Sequence, residues 1–452
     1  MTKNISRKKL FLACISLLFT FFVWQQGLRD SLDRPSVSFD ISQKEKEIAE
    51  LALQSLPSNF KKYVSANDPV KEINDSLSSV SFDELTERNK LIWIMSSDLP
   101  DFEIKNNSSY EFKNKNYKLL FDDLERKSNN KSYKPNYDQF DFFKDDRFLY
   151  HLLSKKFDFD ASALITKSLS QRMFVKILAI RLIPLFTILL GSILILKSLW
   201  TFIASRKIDW KELKPLDLHL IDMVLLIAGG FVVLGEVVSP LFSIGLVESF
   251  SKDFSIELSQ ALKIFFGYLF MAIPPLLIVY YQIKALNGEF LFKNDYFQFK
   301  GLPIKDAIIH GCKGWLMIIP FVLLVSLIMN TLIDNQNGSN PLLEIVLNND
   351  NYLSFILLFL TTTLLAPLFE EIIFRGILLP ILSRDFGIIL GISISAFIFA
   401  LAHLSISEMP PLLVLGIGLG ITRIVSGSLL SSVIMHSLWN GLTFLNLFLL
   451  RT

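Results

Sequence analysis

The sequence predicts an all-α polytopic membrane protein, with about nine transmembrane helices and a mostly helical soluble extracytoplasmic domain after the first. Three observations predict it. Of the 452 residues, 51% are hydrophobic and only 19% are charged, below the roughly 25% of soluble domains. The apolar residues gather in runs of about 17–25, the helix length that crosses a bilayer core. Lys and Arg concentrate in every second connection between those runs, as the positive-inside bias requires.

The first element begins with Lys3, Arg7, Lys8 and Lys9 and continues as an apolar run from Leu10 to Trp24. No A-x-A-like cleavage site follows, so residues 1–29 read as an uncleaved signal anchor with Trp24 at the interface. Residues 30–172 are rich in Asn, Lys, Ser and Asp. No stretch there is long enough to span a membrane. Lys44–Leu56 and Phe82–Leu99 show apolar residues at helical spacing, and Asn106–Tyr137 reads as loop with short elements. This is the expected soluble domain.

Residues 173–344 are expected to be membrane helices of unassigned role, with spans at Leu182–Ala204, Leu220–Leu241, Ile264–Gln282 and Trp315–Ile333. Residues 345–452 add Leu353–Leu379, Gly387–Leu404, the short Leu412–Ile424 and Leu429–Leu450. Gly416, Gly418 and Gly420 in the short span suit close packing against neighbours. With a cytoplasmic N-terminus, the inner connections carry Arg206, Lys207, Lys211 and Lys214, then Lys284, Lys293, Lys300 and Lys305, then Arg384, then Arg423. The outer ones are poor in basic residues. This places the protein in a cell or internal membrane, N-terminus in and residues 30–172 outside. The net charge of +2 gives no bias toward nucleic acid. Cys14 and Cys312 do not make a disulfide framework.

Ionisable residues inside spans are costly, so each is a candidate for function. The last hundred residues concentrate them. Glu371 and Arg375 stand at i and i+4 on one helix face and can pair, which is a supporting role. Glu370 is turned about 100° away and has no local partner. His403 ends an otherwise apolar span, and His436 and Asn440 share one face of the last span. A carboxylate and an imidazole can activate water, and a second imidazole and an amide can donate to a developing oxyanion. Glu370, His403 and His436 could equally supply three ligands to a divalent metal such as Zn2+. No H-E-x-x-H helix is present. Taken singly, each polar residue reads as interhelical glue; Asp222 and Glu236, at either end of one span, fit interfacial positions. Ser437 has no third group to orient it as a nucleophile.

The series Glu370-Glu371-Ile372-Ile373-Phe374-Arg375, then Phe399–His403, then His436–Asn440, resembles the CAAX-protease and bacteriocin-processing (CPBP) family of intramembrane proteases over residues 345–450. The resemblance implies an endopeptidase acting on a membrane protein or peptide. It implies Glu370 as the base, His403 polarising water, and His436 with Asn440 as the oxyanion site. Glu371 and Arg375 would hold the motif helix. It leaves metal-dependent and metal-free glutamate mechanisms both open. The expected span order puts Glu370 in the cytoplasmic half, hence cleavage near the cytoplasmic face. The rival readings are a non-proteolytic scaffold or chaperone on the same fold and, lacking paired interrupted helices, a transporter. No partner for residues 30–172 is legible.

Overall fold

The computed structural model describes residues 6–451 apart from 35–36, 55, 58–60, 62–63, 98–111, 207–209, 288–296, 300, 333–340, 348 and 350. The basic residues Lys3, Lys207, Lys293 and Lys300, the end of the span expected at Trp315–Ile333, and part of the loop expected at Asn106–Tyr137 lie outside the described residues. Among the described residues there is no strand. The helices are α1 Arg7–Leu32, α2 Val37–Leu53, α3 Pro69–Ser78, α4 Glu87–Ser96, α5 Lys115–Asn129, α6 Arg147–Phe157, α7 Lys167–Ser205, α8 Leu220–Phe250, α9 Ile256–Asn287, α10 Ile304–Leu332, α11 Pro341–Leu347, α12 Tyr352–Phe386, α13 Ile388–Leu401, α14 Met409–Ser426 and α15 Leu429–Leu449. They divide into two compact units, residues 1–37 with 184–447, and residues 38–183 with 448–452.

The first unit is the membrane bundle. Seven helices among the described residues are long and apolar enough to cross a bilayer: α1, α7, α8, α9, α10, α12 and α14. The chain is an integral, multi-pass membrane protein. The other two expected spans are helices of a different kind. α13 has 14 residues, which at 1.5 Å per residue is about 21 Å, short of the roughly 30 Å core. α15 has 21 residues but carries His436, Asn440 and Asn446, which dilute its hydropathy. The side chains of Leu10, Phe11 and Phe21 on α1 and of Leu185, Phe186 and Trp200 on α7 are apolar and uncovered. Hydrocarbon is the solvent that such faces fit, since helices satisfy their own backbone groups.

Polar ties define the two ends of this bundle. At one end Lys9, at the start of α1, pairs with Asp222, at the start of α8. There too Arg384 donates to the carbonyls of Leu216 and Leu218 at 3.2 and 2.8 Å, and the backbone N–H of Lys211 donates to Ile424 at 3.2 Å. At the other end the Ser354 hydroxyl donates to the Glu257 carbonyl at 2.9 Å, and the Ile406 N–H donates to Ser31 at 3.3 Å. The chain turns from α12 to α13 at Gly387, φ 84°, and from α14 to α15 at Gly427, φ 69°. L side chains rarely adopt these φ values.

The bundle core is a cluster of Phe231, Phe369, Phe374, Phe399, Leu415 and Leu419. The glycine stripe of α14 lets two helices close on it. A Cβ at Gly416 would come 3.0 Å from Ala396 on α13, and one at Gly418 would come 2.6 Å from Ile318 on α10. The long helices also widen locally: α8 is π-helical over Leu225–Val238, and α12 over Thr361–Leu365 and Ile372–Leu378. π turns re-aim side chains relative to an α register and gather at functional sites.

The second unit packs helices α2 to α6, with Ile48, Leu51, Ile73, Leu91, Leu120 and Phe148 buried among them. Thr86, Asn114 and Asp146 cap α4, α5 and α6 through their side chains, supplying acceptors to orphan N–H groups. Arg88 joins two helices, with Nη1 2.7 Å from Glu47 Oε1 and Nε 2.6 Å from Asp146 Oδ2. Burial pushes the Asp146 carboxyl up, but Arg88 and the Leu149 N–H hold it below the ordinary range. Glu50 accepts from Lys155 at 2.7 Å and meets His151 at 3.0 Å. Burial opposes ionisation there too, yet His151 and Lys155 bring Glu50 down to about 2.

Candidate active site

The EExxxR segment lies close to the middle of α12, in an apolar surrounding that makes each polar contact strong. Successive residues face different ways. Glu371 points into protein and is fully buried with Arg375, whose Nη1 donates to Glu371 Oε1 at 2.7 Å. Arg375 Nη2 donates to the Gly416 carbonyl at 3.1 Å, and its guanidinium lies 4.3 Å from the Phe399 ring centroid. A buried pair is tolerable when hydrogen bonds and good geometry offset desolvation; these contacts serve Glu371 Oε1 and both Arg375 Nη nitrogens, while Glu371 Oε2 and Arg375 Nε make no hydrogen bond among the described residues. Glu370 faces instead into a cavity of about 500 Å³ among the bundle helices.

Glu370, His403, His436 and Asn440 all line this one cavity. The structure brings the four expected residues together from α12, the end of α13 and α15. His436 adds a contact absent from the sequence reading. Its Nδ1 lies 3.0 Å from Glu371 Oε1. That carboxylate already accepts from Arg375, so the ring nitrogen is the donor. Its Nε2 is 3.8 Å from Glu370 Oε2. The pair Glu371–Arg375 therefore fixes the imidazole that faces Glu370, beyond holding its own helix.

His403 Nδ1 lies 2.8 Å from the Phe399 carbonyl. A carbonyl only accepts, so Nδ1 carries the hydrogen, and in the neutral ring Nε2 presents a lone pair. Asn440 Nδ2 donates to the Thr362 carbonyl at 2.9 Å, within the π-helical segment of α12. This bond uses one of the two N–H groups of the amide.

Sequence reasoning missed Tyr268 of α9. Its hydroxyl donates to Glu370 Oε1 at 2.5 Å, and its ring packs edge-on to Phe369 at 6.0 Å and 88°. Glu370 thus has a partner 102 positions away, while its Oε2 is buried without a hydrogen-bond partner among the described residues. A tyrosine in an apolar helix gives no signal in one sequence. Glu236 of α8 and Glu408 also line the cavity. The pairing of Asp222 with Glu236 as two interfacial acids separates here: Asp222 is buried against Lys9 at one end, and Glu236 belongs to the cavity wall.

Two further expectations change. No three His, Cys, Asp or Glu side chains among the described residues stand close enough to hold one metal ion. Glu370, His403 and His436 are therefore not drawn together as a three-ligand set in this arrangement. The expected position of Glu370 in the half of the bundle with the basic connections also shifts. Glu370 is near mid-helix, and the cavity it faces extends toward the opposite end, where Ser326, Leu342, Leu343, Glu408 and Leu447 contribute to its wall.

No curated protein and no solved structure matches the chain. Residues 38–175 match a domain family of unknown function, DUF8675. Residues 352–442, which include Glu370, Glu371, Arg375, His403, His436 and Asn440, match a second family. That second family is described as type II CAAX prenyl endopeptidase Rce1-like, and the matched stretch of the chain is similar to it over the segment that places Glu370, His403, His436 and Asn440 on one cavity.

Proposed function

We propose that the protein is an intramembrane endopeptidase that hydrolyses a peptide bond of a membrane-associated protein or peptide. The observation that carries this reading is Glu370, which presents a carboxylate oxygen with no hydrogen-bond partner among the described residues to a cavity shared with His403, His436 and Asn440.

Glu370 Oε2 accepts a proton from water while the water oxygen bonds to the scissile carbonyl carbon. The Nε2 lone pair of His403 accepts the second hydrogen of that water and orients it. Tyr268 occupies Oε1, so Oε2 is the oxygen that acts. The carbonyl oxygen becomes an oxyanion, to which His436 Nε2 and Asn440 Nδ2 donate. With Nδ1 already donating to Glu371, His436 donates to the oxyanion only with a hydrogen on Nε2 as well, and the oxyanion itself then balances that charge, since Glu371 is already paired with Arg375. Collapse breaks the C–N bond, and the proton held by Glu370 passes to the leaving amine. Donors fixed in a low-dielectric cavity stabilise developing charge without reorganising.

The test compares protein termini in membranes from cells expressing wild type, Glu370→Ala and His403→Ala. Both variants insert normally, and termini generated by the wild type disappear. Identical termini in wild type and a well-inserted Glu370→Ala would sink the mechanism.

A further inference from the structure

The cavity lies toward one particular end of the bundle. Ser326 is near the far end of α10, counted from its start beside the basic connections. Leu342 and Leu343 belong to α11, in the connection beyond it. Glu408 immediately precedes α14, and Leu447 is in the last turn of α15. These positions fall at the end tied by Ser354 with Glu257 and by Ile406 with Ser31. They are opposite the end tied by Lys9 with Asp222 and by Arg384 with Leu218.

The two ends differ in charge. The end away from the cavity carries Lys8, Lys9, Lys211, Lys214, Lys305 and Arg384 in short connections and adjoining turns. The connection Ser251–Ser255, at the cavity end, has only Lys252 beside Asp253, and the connection 402–408 has no Lys or Arg. Short connections rich in Lys and Arg stay cytoplasmic. The basic residues flanking 38–183 do not count against this, because segments longer than about 60 residues translocate largely regardless of charge.

We infer that the candidate active site communicates with the extracytoplasmic side, so that its substrates are membrane-anchored polypeptides cut in the outer half of the bilayer or just beyond it. The inference rests on the endopeptidase reading for the word substrate, and on helix direction and loop charge for the side. It replaces a cytoplasmic cleavage point, which the order of spans suggests only while Glu370 is assigned to the inner part of α12. Water for hydrolysis and the departing product then exchange with the outer compartment.

The experiment uses the full chain in a bacterial host, with Cys14→Ser and Cys312→Ser as background and a membrane-impermeant maleimide as probe. Single cysteines are placed by Glu408→Cys at the cavity wall, by Lys252→Cys in the exposed connection at the same end, and by Lys305→Cys at the opposite end. The expected result is labelling of the first two in intact cells, and of Lys305→Cys only after lysis. Labelling of Lys305→Cys in intact cells, with Lys252→Cys protected until lysis, overturns the inference and leaves the endopeptidase reading standing. The expected labelling without any Glu370-dependent protein termini overturns the endopeptidase reading while the sidedness stands.

Discussion

Tyr268→Phe removes one oxygen from the candidate site and little else. The ring stays, with its edge contact to Phe369 at 6.0 Å. What goes is the donor 2.5 Å from Glu370 Oε1. A hydrogen bond to a charged group contributes about 1.5–3 kcal/mol. At about 1.4 kcal/mol per factor of ten, its loss from the transition state slows turnover about 10- to 100-fold. Glu370 is then free to rotate, and Oε2 no longer faces the water by default. The assay follows cleavage of a substrate identified by its Glu370-dependent terminus. The expected pattern is a fall in kcat with KM nearly unchanged, because the tyrosine orients the base. Thermal unfolding of the detergent-solubilised protein stays close to wild type. In a Glu370→Gln background the second substitution adds no further loss, as expected when two groups act as a unit. An unchanged kcat, or a loss that multiplies fully on Glu370→Gln, would refute the orienting role.

Two other predictions concern the buried charges. Arg375→Met leaves Glu371 buried with no guanidinium beside it and His436 still its partner, at a cost of about 3–5 kcal/mol. Thermal unfolding in detergent should fall sharply for the single variant and recover in part with Glu371→Gln added; equal unfolding of the two would show that the pair is not coupled. In residues 38–183, Glu50 and Asp146 have folded values below their ordinary ones. Depressed carboxyls stabilise above their unfolded values and lose that contribution as pH falls through the folded ones. Hydrogen exchange of peptides from this region should therefore accelerate as pH is lowered from about 4.5 toward 2, after correction for intrinsic rates, with Glu50 alone accounting for about 3 kcal/mol. Flat corrected protection across that interval would contradict the pairing.

The sequence by itself determined the polytopic helical class and the six motif residues. Bilayer length and the cost of ionisable groups in hydrocarbon are local rules, readable on Glu370, Glu371, Arg375, His403, His436 and Asn440 without knowing their neighbours. The i, i+4 pairing of Glu371 with Arg375 was legible for the same reason. The extent of α15 was legible to within a residue, but the shortness of α13 was not, because an apolar run does not reveal where the helix stops. Only the tertiary structure decided that Tyr268 holds Glu370, that His436 rests on Glu371, and that Asp222 and Glu236 part company. Each joins residues far apart in the chain, and such partners are chosen by packing. The direction in which the cavity extends was likewise set by α10, α11, α15 and the connection before α14 meeting at one end. A single span, read alone, carries the depth of its charges but not the position of the space they face.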